Sequence, residues 1–191
     1  MFAGWASAEF LEINGRDMGV NSIAHPIGTR SGDAAIDAVI AALESGDSQA
    51  IARLLRFETV GCTHELGLGG PPKCGQDDAE GTMVEALATG GCEGGWWLEP
   101  ELQSTEGLSR FVKAYAGAGL YAVYRLPASA ERWPKGESII VFVRDTGFGR
   151  FAQTMGVTGG RIVSNWGGCG TQPEKILMGA EGATVILAPP Q

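Results

Sequence analysis

The chain has 191 residues, enough for one domain with a sizeable core, and its 44% hydrophobic content suits a globular protein. Twenty-two acidic against 14 basic residues leave a net charge of −8. That balance disfavours nucleic acid and anionic membrane surfaces as partners, because both select cationic faces. No run of about 18 apolar residues is present, so no membrane span is expected.

Residues 1–32 read as an irregular arm. Phe2, Trp5, Phe10, Leu11 and Ile13 can pack, but Gly4, Gly15, Gly19, Pro26 and Gly28 interrupt any long element. The start lacks the cationic and long apolar regions of a signal peptide, so the chain is either cytosolic or one whose leader is absent from this sequence. Residues 33–191 read as one domain.

Asp33 to Ser45 is the clearest helix, with Ile36, Val39, Ile40 and Leu43 on one stripe, Asp33 as the cap and Gly46 as the stop. Asp47 or Ser48 caps a second helix over Gln49 to Phe57, which completes a helical hairpin. Short strands follow at Thr82 to Leu87 and Gly95 to Glu99. Ser104 or Thr105 caps a third helix that ends near Tyr115, with Leu108, Phe111, Val112 and Tyr115 on one face. The period then changes from 3.6 to 2. Strands are predicted at Leu120 to Leu126, Ser138 to Asp145, Phe151 to Val157, Arg161 to Trp166 and Ala183 to Ala188. Gly159-Gly160 is a two-residue hairpin turn, and the apolar run Ile139 to Val143 marks a central strand.

Cys62, Cys74, Cys92 and Cys169 form an even set, for which three pairings exist. Cys62 and Cys74 bracket a glycine- and proline-rich loop with little apolar content to hold it, so a crosslink there is worth roughly 3 kcal/mol. The second pair would then be Cys92 with Cys169, each beside a glycine pair. Disulfides imply an extracytoplasmic or secreted home, whereas reduced cysteines imply a cytoplasmic one. Cys62-x-His64 with Cys74 and Cys92 offers zinc ligands, but the spacing fits no standard zinc module. No metal and no cofactor are expected.

The segments AAIDAVIAALESGDSQAIARLL at 34–55 and GRFAQTMGVTGGRIVSNWG at 149–167 resemble the opening helical hairpin and the closing strand pair of the NTF2-like (SnoaL-like) superfamily. The resemblance covers roughly residues 33–167. It implies an α+β cone, with three helices packed on a curved, mostly antiparallel sheet, and a homodimer formed through the sheet's outer face. CTHELGLGGPPKC at 62–74, followed by EGTMVEAL at 80–87, resembles a segment of uncharacterised bacterial exported or lipid-anchored proteins. That likeness implies export and a Cys62–Cys74 bond.

In such a cone a ligand sits between the concave sheet and the helices. Asp145 ends the most apolar strand; in an apolar mouth it would act as an acid or base, although a solvated turn residue is the plainer reading. Tyr121 and Tyr124 alternate on their strand, so only one can point inward, to orient a ligand or to fill the core. Asn165 and Trp166 can line a cavity or simply end a strand. Trp96 and Trp97 point to opposite faces, so one can be exposed to stack on a sugar ring or a partner. Trp97, Tyr124, Asn165 and Trp166 are therefore the ligand-binding candidates, and Asp145 with Tyr121 the catalytic ones. His25 lies in the arm and His64 in the cysteine loop, which supports no hydrolase triad. The reading that follows is a non-catalytic module for a small apolar ligand or a protein partner. The alternative is a pocket enzyme doing acid–base chemistry, as hydrolase or isomerase, on an apolar small molecule.

Overall fold

Asp33 opens the first helix as its cap, accepting the backbone N–H groups of Ala35 at 3.1 Å and Ile36 at 3.4 Å. The computed structural model describes residues 23–91, 93–128, 135–145, 149–167, 170–176 and 182–191. Helix α1 (Ala34–Ser45) closes at Gly46 in the left-handed conformation, with Ile36, Val39, Ile40 and Leu43 buried along its stripe. Asp47 caps α2 (Ser48–Leu54) in the same way, through Gln49 and Ala50.

The second helix stops three residues before the predicted Phe57. Leu55 turns extended and bridges Ile162, and Arg56 N donates to Ile162 O at 2.9 Å. Pairing with the sheet outweighs the helical preference of so short a stretch, which is a few tenths of a kcal/mol per residue. The diverted chain forms β1 (Glu58–Gly61), a strand too short and too exposed to show alternation in sequence. A single helical turn, α3 (Glu99–Leu102), starts at the Glu99-Pro100 step, where proline suits the first turn. Four helices thus stand among the described residues where three were expected. The long third one, α4 (Thr105–Tyr115), is capped by Ser104, whose hydroxyl accepts Gly107 N at 2.9 Å.

The remaining strands are β2 (Met83–Gly90), β3 (Gly95–Leu98), β4 (Gly119–Arg125), β5 (Ser138–Asp145), β6 (Arg150–Thr158), β7 (Arg161–Gly167) and β8 (Thr184–Leu187). Among the described residues they form one open eight-stranded sheet, ordered β1-β2-β7-β6-β5-β4-β8, with β3 also on β2. Every pairing is antiparallel except β2 with β7. Gly159 and Gly160, at φ 55° and 73°, make the predicted β6–β7 turn. The chain is therefore of the α+β class, with helices on a mostly antiparallel open sheet.

Each face of the sheet carries its own core. Toward the helices, Leu120, Val123, Ile140, Phe142, Met155 and Ile162 meet the stripes of α1 and α4. On the outer face, Tyr124, Ile139, Val141, Val143 and Ala152 pack with Ile176, flanked by Ile23, Ala24 and Ala183. β5 feeds both cores, which explains its unbroken apolar run. The outer face, through which the NTF2-like resemblance implies a dimer, is thus partly occupied by the chain's own segments. Of the expected arm, residues 1–22 lie outside the described residues. His25 belongs to the described part: its N–H donates to Leu120 O at 2.7 Å and its Nε2 to Ala188 O at 2.8 Å, joining arm and C-terminal segment across β4.

Candidate functional site

Strand alternation sends the two adjacent tryptophans of β3 to opposite faces, as expected. Trp97 sits opposite Leu87 and packs on the helix-side core, with the Arg110 guanidinium 4.8 Å from its ring centre. Trp96 takes the outer face. Its Nε1–H donates to Gly70 O at 2.9 Å, and Lys135 Nζ lies 4.9 Å from its ring centre. Lys135 is itself held by Glu58 Oε1 at 2.7 Å.

Trp166 reaches the same outer face from β7, where it pairs with Gly90 of β2. Together Trp96 and Trp166 wall an open groove of about 370 Å³, completed by Glu93 and the backbone of Gly70, Gly91, Gly94 and Gly95. Gly70 comes from the cysteine-bounded loop, so that loop forms one side of the groove. The fit is close: a Cβ on Gly69 would lie 2.4 Å from Glu93 O, and Gly69 also has a φ of 74°. Two indoles beside bare glycine backbone and an acidic residue suit a ring with an apolar face and hydroxyl groups at its rim.

The loop is closed by the Cys62–Cys74 disulfide, with its Cα atoms 4.9 Å apart, and by the Thr63–Lys73 bridge. Its lower end gathers polar groups. A ring nitrogen of His64, Cys74 Sγ and a Glu80 oxygen lie within 4.8 Å of one another. His64 Nε2 donates to Asp78 O at 2.7 Å, and His64 N donates to Glu80 Oε2 at 2.6 Å. That backbone N–H, with help from Thr63, holds the Glu80 carboxyl below the usual glutamate range. The partner expected for the second disulfide, Cys92 with Cys169, lies outside the described residues.

The other predicted site residues scatter. Tyr121 and Tyr124 share the outer face, against simple alternation, because a bulge between Leu120 and Ala122 inserts Tyr121 as an extra residue. Both are buried, which pushes both phenols up, and nearby Glu174 adds to the shift. Asp145 is exposed at the end of β5, in a polar depression with Arg150, Gln172 and Glu174, which matches the solvated-turn reading over the apolar mouth. Asn165 turns toward the helices beside Tyr115, whose hydroxyl donates to Thr154 O at 3.0 Å. Burial pushes the Tyr115 phenol well above its ordinary value, and the Asn165 bond opposes only part of that. Asn165 Oδ1, Gln153 Oε1 and Arg144 Nε are buried without a partner among the described residues.

Between the C-terminal ends of α1 and α4 lies a second hollow of about 400 Å³, with Ile27, Leu43, Val112, Tyr115 and Ala118 in its wall. None of the six predicted site residues lines it. Of those six, Trp166 alone reaches the tryptophan groove among the described residues. Of the adjacent pair, Trp97 is the ligand-binding candidate from sequence, whereas Trp96 is the one that lines this groove. Strand parity could not say which face the helices would cover. No helix of the described residues is long and apolar enough to cross a membrane. No protein-family model, no curated protein and no solved structure matches this chain.

Proposed function

We propose that this chain is a non-catalytic binding module of NTF2-like architecture, working outside the cytoplasm, that holds a small sugar-like ring between Trp96 and Trp166. The groove carries this reading: it pairs two aromatic walls with an acidic residue, Glu93, and glycine backbone. A pyranose presents an apolar face to an indole and hydroxyl donors at its rim, which matches that arrangement. Lys135 covers one side of the Trp96 ring, and the Gly70 bond fixes its tilt, so little side-chain freedom is lost when a ligand stacks. The strand order, with a hairpin-like β1–β2 pair joined in parallel to the last strand of a meander, supports the NTF2-like reading. The crosslinked loop supports export.

The acid–base alternative rests on Tyr121, whose phenol senses both Arg150 and Glu174 near Asp145. It is the weaker reading, because Asp145 is exposed in a polar depression with Arg150, Gln172 and Glu174.

Calorimetric titration with a panel of monosaccharides and short oligosaccharides tests the proposal. We expect a Kd between about 1 mM and 1 μM for at least one of them, which is about 4 to 8 kcal/mol of binding. Trp96→Ala and Trp166→Ala should each abolish the heat. A panel that shows no binding, or binding indifferent to both substitutions, would refute it.

A further inference from the structure

The polar cluster beneath the cysteine loop carries a second kind of chemistry, independent of the groove. Three groups with zinc-ligand character, His64, Cys74 and Glu80, cluster here, and Cys62 is bonded to one of them. His64 Nε2 meets Asp78 O at 2.7 Å, and both sulfurs point at Ala79 O, from 3.8 Å for Cys62 and 3.6 Å for Cys74. The Glu80 carboxylate lies against His64 N at 2.6 Å. A carbonyl oxygen only accepts, so His64 Nε2 is the donor here, and Nδ1 is the ring nitrogen left for a metal. That is the arrangement a metal-bound imidazole needs: one nitrogen free for the metal, the other donating to a backbone carbonyl. Glu80 accepts the His64 N–H and a bond from the Thr63 side chain, both weaker partners than a divalent cation. The ligand atoms of His64, Cys74 and Glu80 already lie within 4.8 Å of one another. Two sulfurs on a tetrahedral zinc at about 2.3 Å stand roughly 3.8 Å apart, a separation that side-chain rotation at Cys62 and Cys74 can supply.

We infer that Cys62, Cys74, His64 and Glu80 form a two-state crosslink: a disulfide when oxidised, and a tetrahedral zinc site when reduced. A dithiol reductant attacks the Cys62–Cys74 bond by thiol–disulfide exchange and leaves as its own cyclic disulfide. Its two electrons and two protons pass to the two cysteines, which become thiols. Zn²⁺ then displaces one proton from each thiol, takes the Nδ1 lone pair of His64 and one Glu80 oxygen, and undergoes no redox change. Two protons leave to solvent. Either crosslink ties Cys62 to Cys74, so the loop that carries Gly70 stays closed in both redox states. Half-buried Cys74 and exposed His64 and Glu80 leave the site open to reductant and metal, while buried Cys62 anchors it.

The test uses the full chain, oxidised and fully reduced under anaerobic conditions, titrated with Co²⁺ and then with Zn²⁺. The reduced chain should develop sulfur-to-cobalt charge transfer and the intense visible bands of tetrahedral cobalt, and Zn²⁺ should bleach both. The oxidised chain should show neither. His64→Ala and Glu80→Gln should each weaken metal affinity about tenfold or more, and Cys74→Ser should remove the charge-transfer band. Cys92→Ser and Cys169→Ser should leave the spectrum unchanged. If the reduced chain loses its circular dichroism, Zn²⁺ should restore it. Failure to take up cobalt, failure of zinc to restore the fold, or a spectrum unmoved by His64→Ala and Glu80→Gln would overturn the inference.

Discussion

The indole N–H of Trp96 donates to the carbonyl oxygen of Gly70 at 2.9 Å, joining a strand of the sheet to the tip of a loop 26 residues earlier. The loop is held at its base by the Cys62–Cys74 bond. Shape at the groove thus depends on a crosslink outside it. In a metal-free Cys62→Ser/Cys74→Ser chain we expect stability to fall by about 3 kcal/mol, the value for closing a loop of this size. We also expect ring binding at the groove to weaken, because Gly70 and Gly69 lose their fixed approach to Trp96 and Glu93. Urea unfolding and calorimetric titration read the two effects; a denaturation midpoint equal to that of the wild type would contradict the first.

The paired tryptophans of β3 separate stability from binding. Trp97 packs on the helix-side core under Arg110, so Trp97→Ala should cost about 2 to 4 kcal/mol and lower the urea midpoint. Trp96 contributes one hydrogen bond and a contact to Lys135 at the rim, so Trp96→Ala should cost about 1 kcal/mol. Binding should respond in the opposite order, lost in Trp96→Ala and kept in whatever fraction of Trp97→Ala remains folded. Equal stability losses in the two variants would mean the faces are not divided in this way.

Gly156 is a packing requirement more than a flexible point. A Cβ there would lie 1.7 Å from Lys135 O and 2.2 Å from Ser164 Oγ, and Ser164 Oγ itself donates to Lys135 O at 2.6 Å. Neither a backbone carbonyl nor a hydroxyl held by it can retreat cheaply. Gly156→Ala should therefore destabilise by about 3 kcal/mol or more, while Gly159→Ala, with open space around it, should cost about 1 kcal/mol through its positive φ alone. Thermal unfolding of the two variants gives the comparison; similar losses would argue against the steric account.

What could be read from the sequence followed from local rules. Asp33, Asp47, Ser104 and Gly46 announced helix ends because capping is a matter of a few adjacent atoms. Ile139 to Val143 announced a strand buried on both faces, because no polar alternation interrupts it. The failures came where one chain segment answers to another far away. Leu55 leaves its helix for Ile162, and Tyr121 changes face through a bulge in its pairing with β5. The groove combines β3, β7 and a loop tip, and no spacing in the sequence links Trp96, Trp166 and Gly70. Asp145 left both a solvated turn and an apolar mouth open, because burial at a strand end depends on what lies beyond the sheet edge.

The phenol pKa values of all 3 tyrosines are raised above the ordinary value, which contributes to stability in alkali. Burial is the main cause at each: Tyr115 in the helix-side core, Tyr121 and Tyr124 in the outer one. A phenol whose folded pKa exceeds its unfolded value of 10.0 binds its proton more tightly in the native chain. The resulting stabilisation is complete below pH 10.0 and is lost as pH rises through the folded values. We therefore expect no phenolate absorbance from Tyr115 in the folded protein, and its appearance together with loss of circular dichroism as one cooperative step above pH 10.0. Tyr115→Phe removes the bond to Thr154 O, which should cost about 1 kcal/mol at neutral pH. It also removes one proton from the alkaline transition, so stability should fall less steeply with pH there. A Tyr115→Phe chain with the same alkaline slope as the wild type would show that Tyr115 ionises without unfolding, which a phenol enclosed by Phe111 and Phe142 at 5.8 and 5.5 Å should not do.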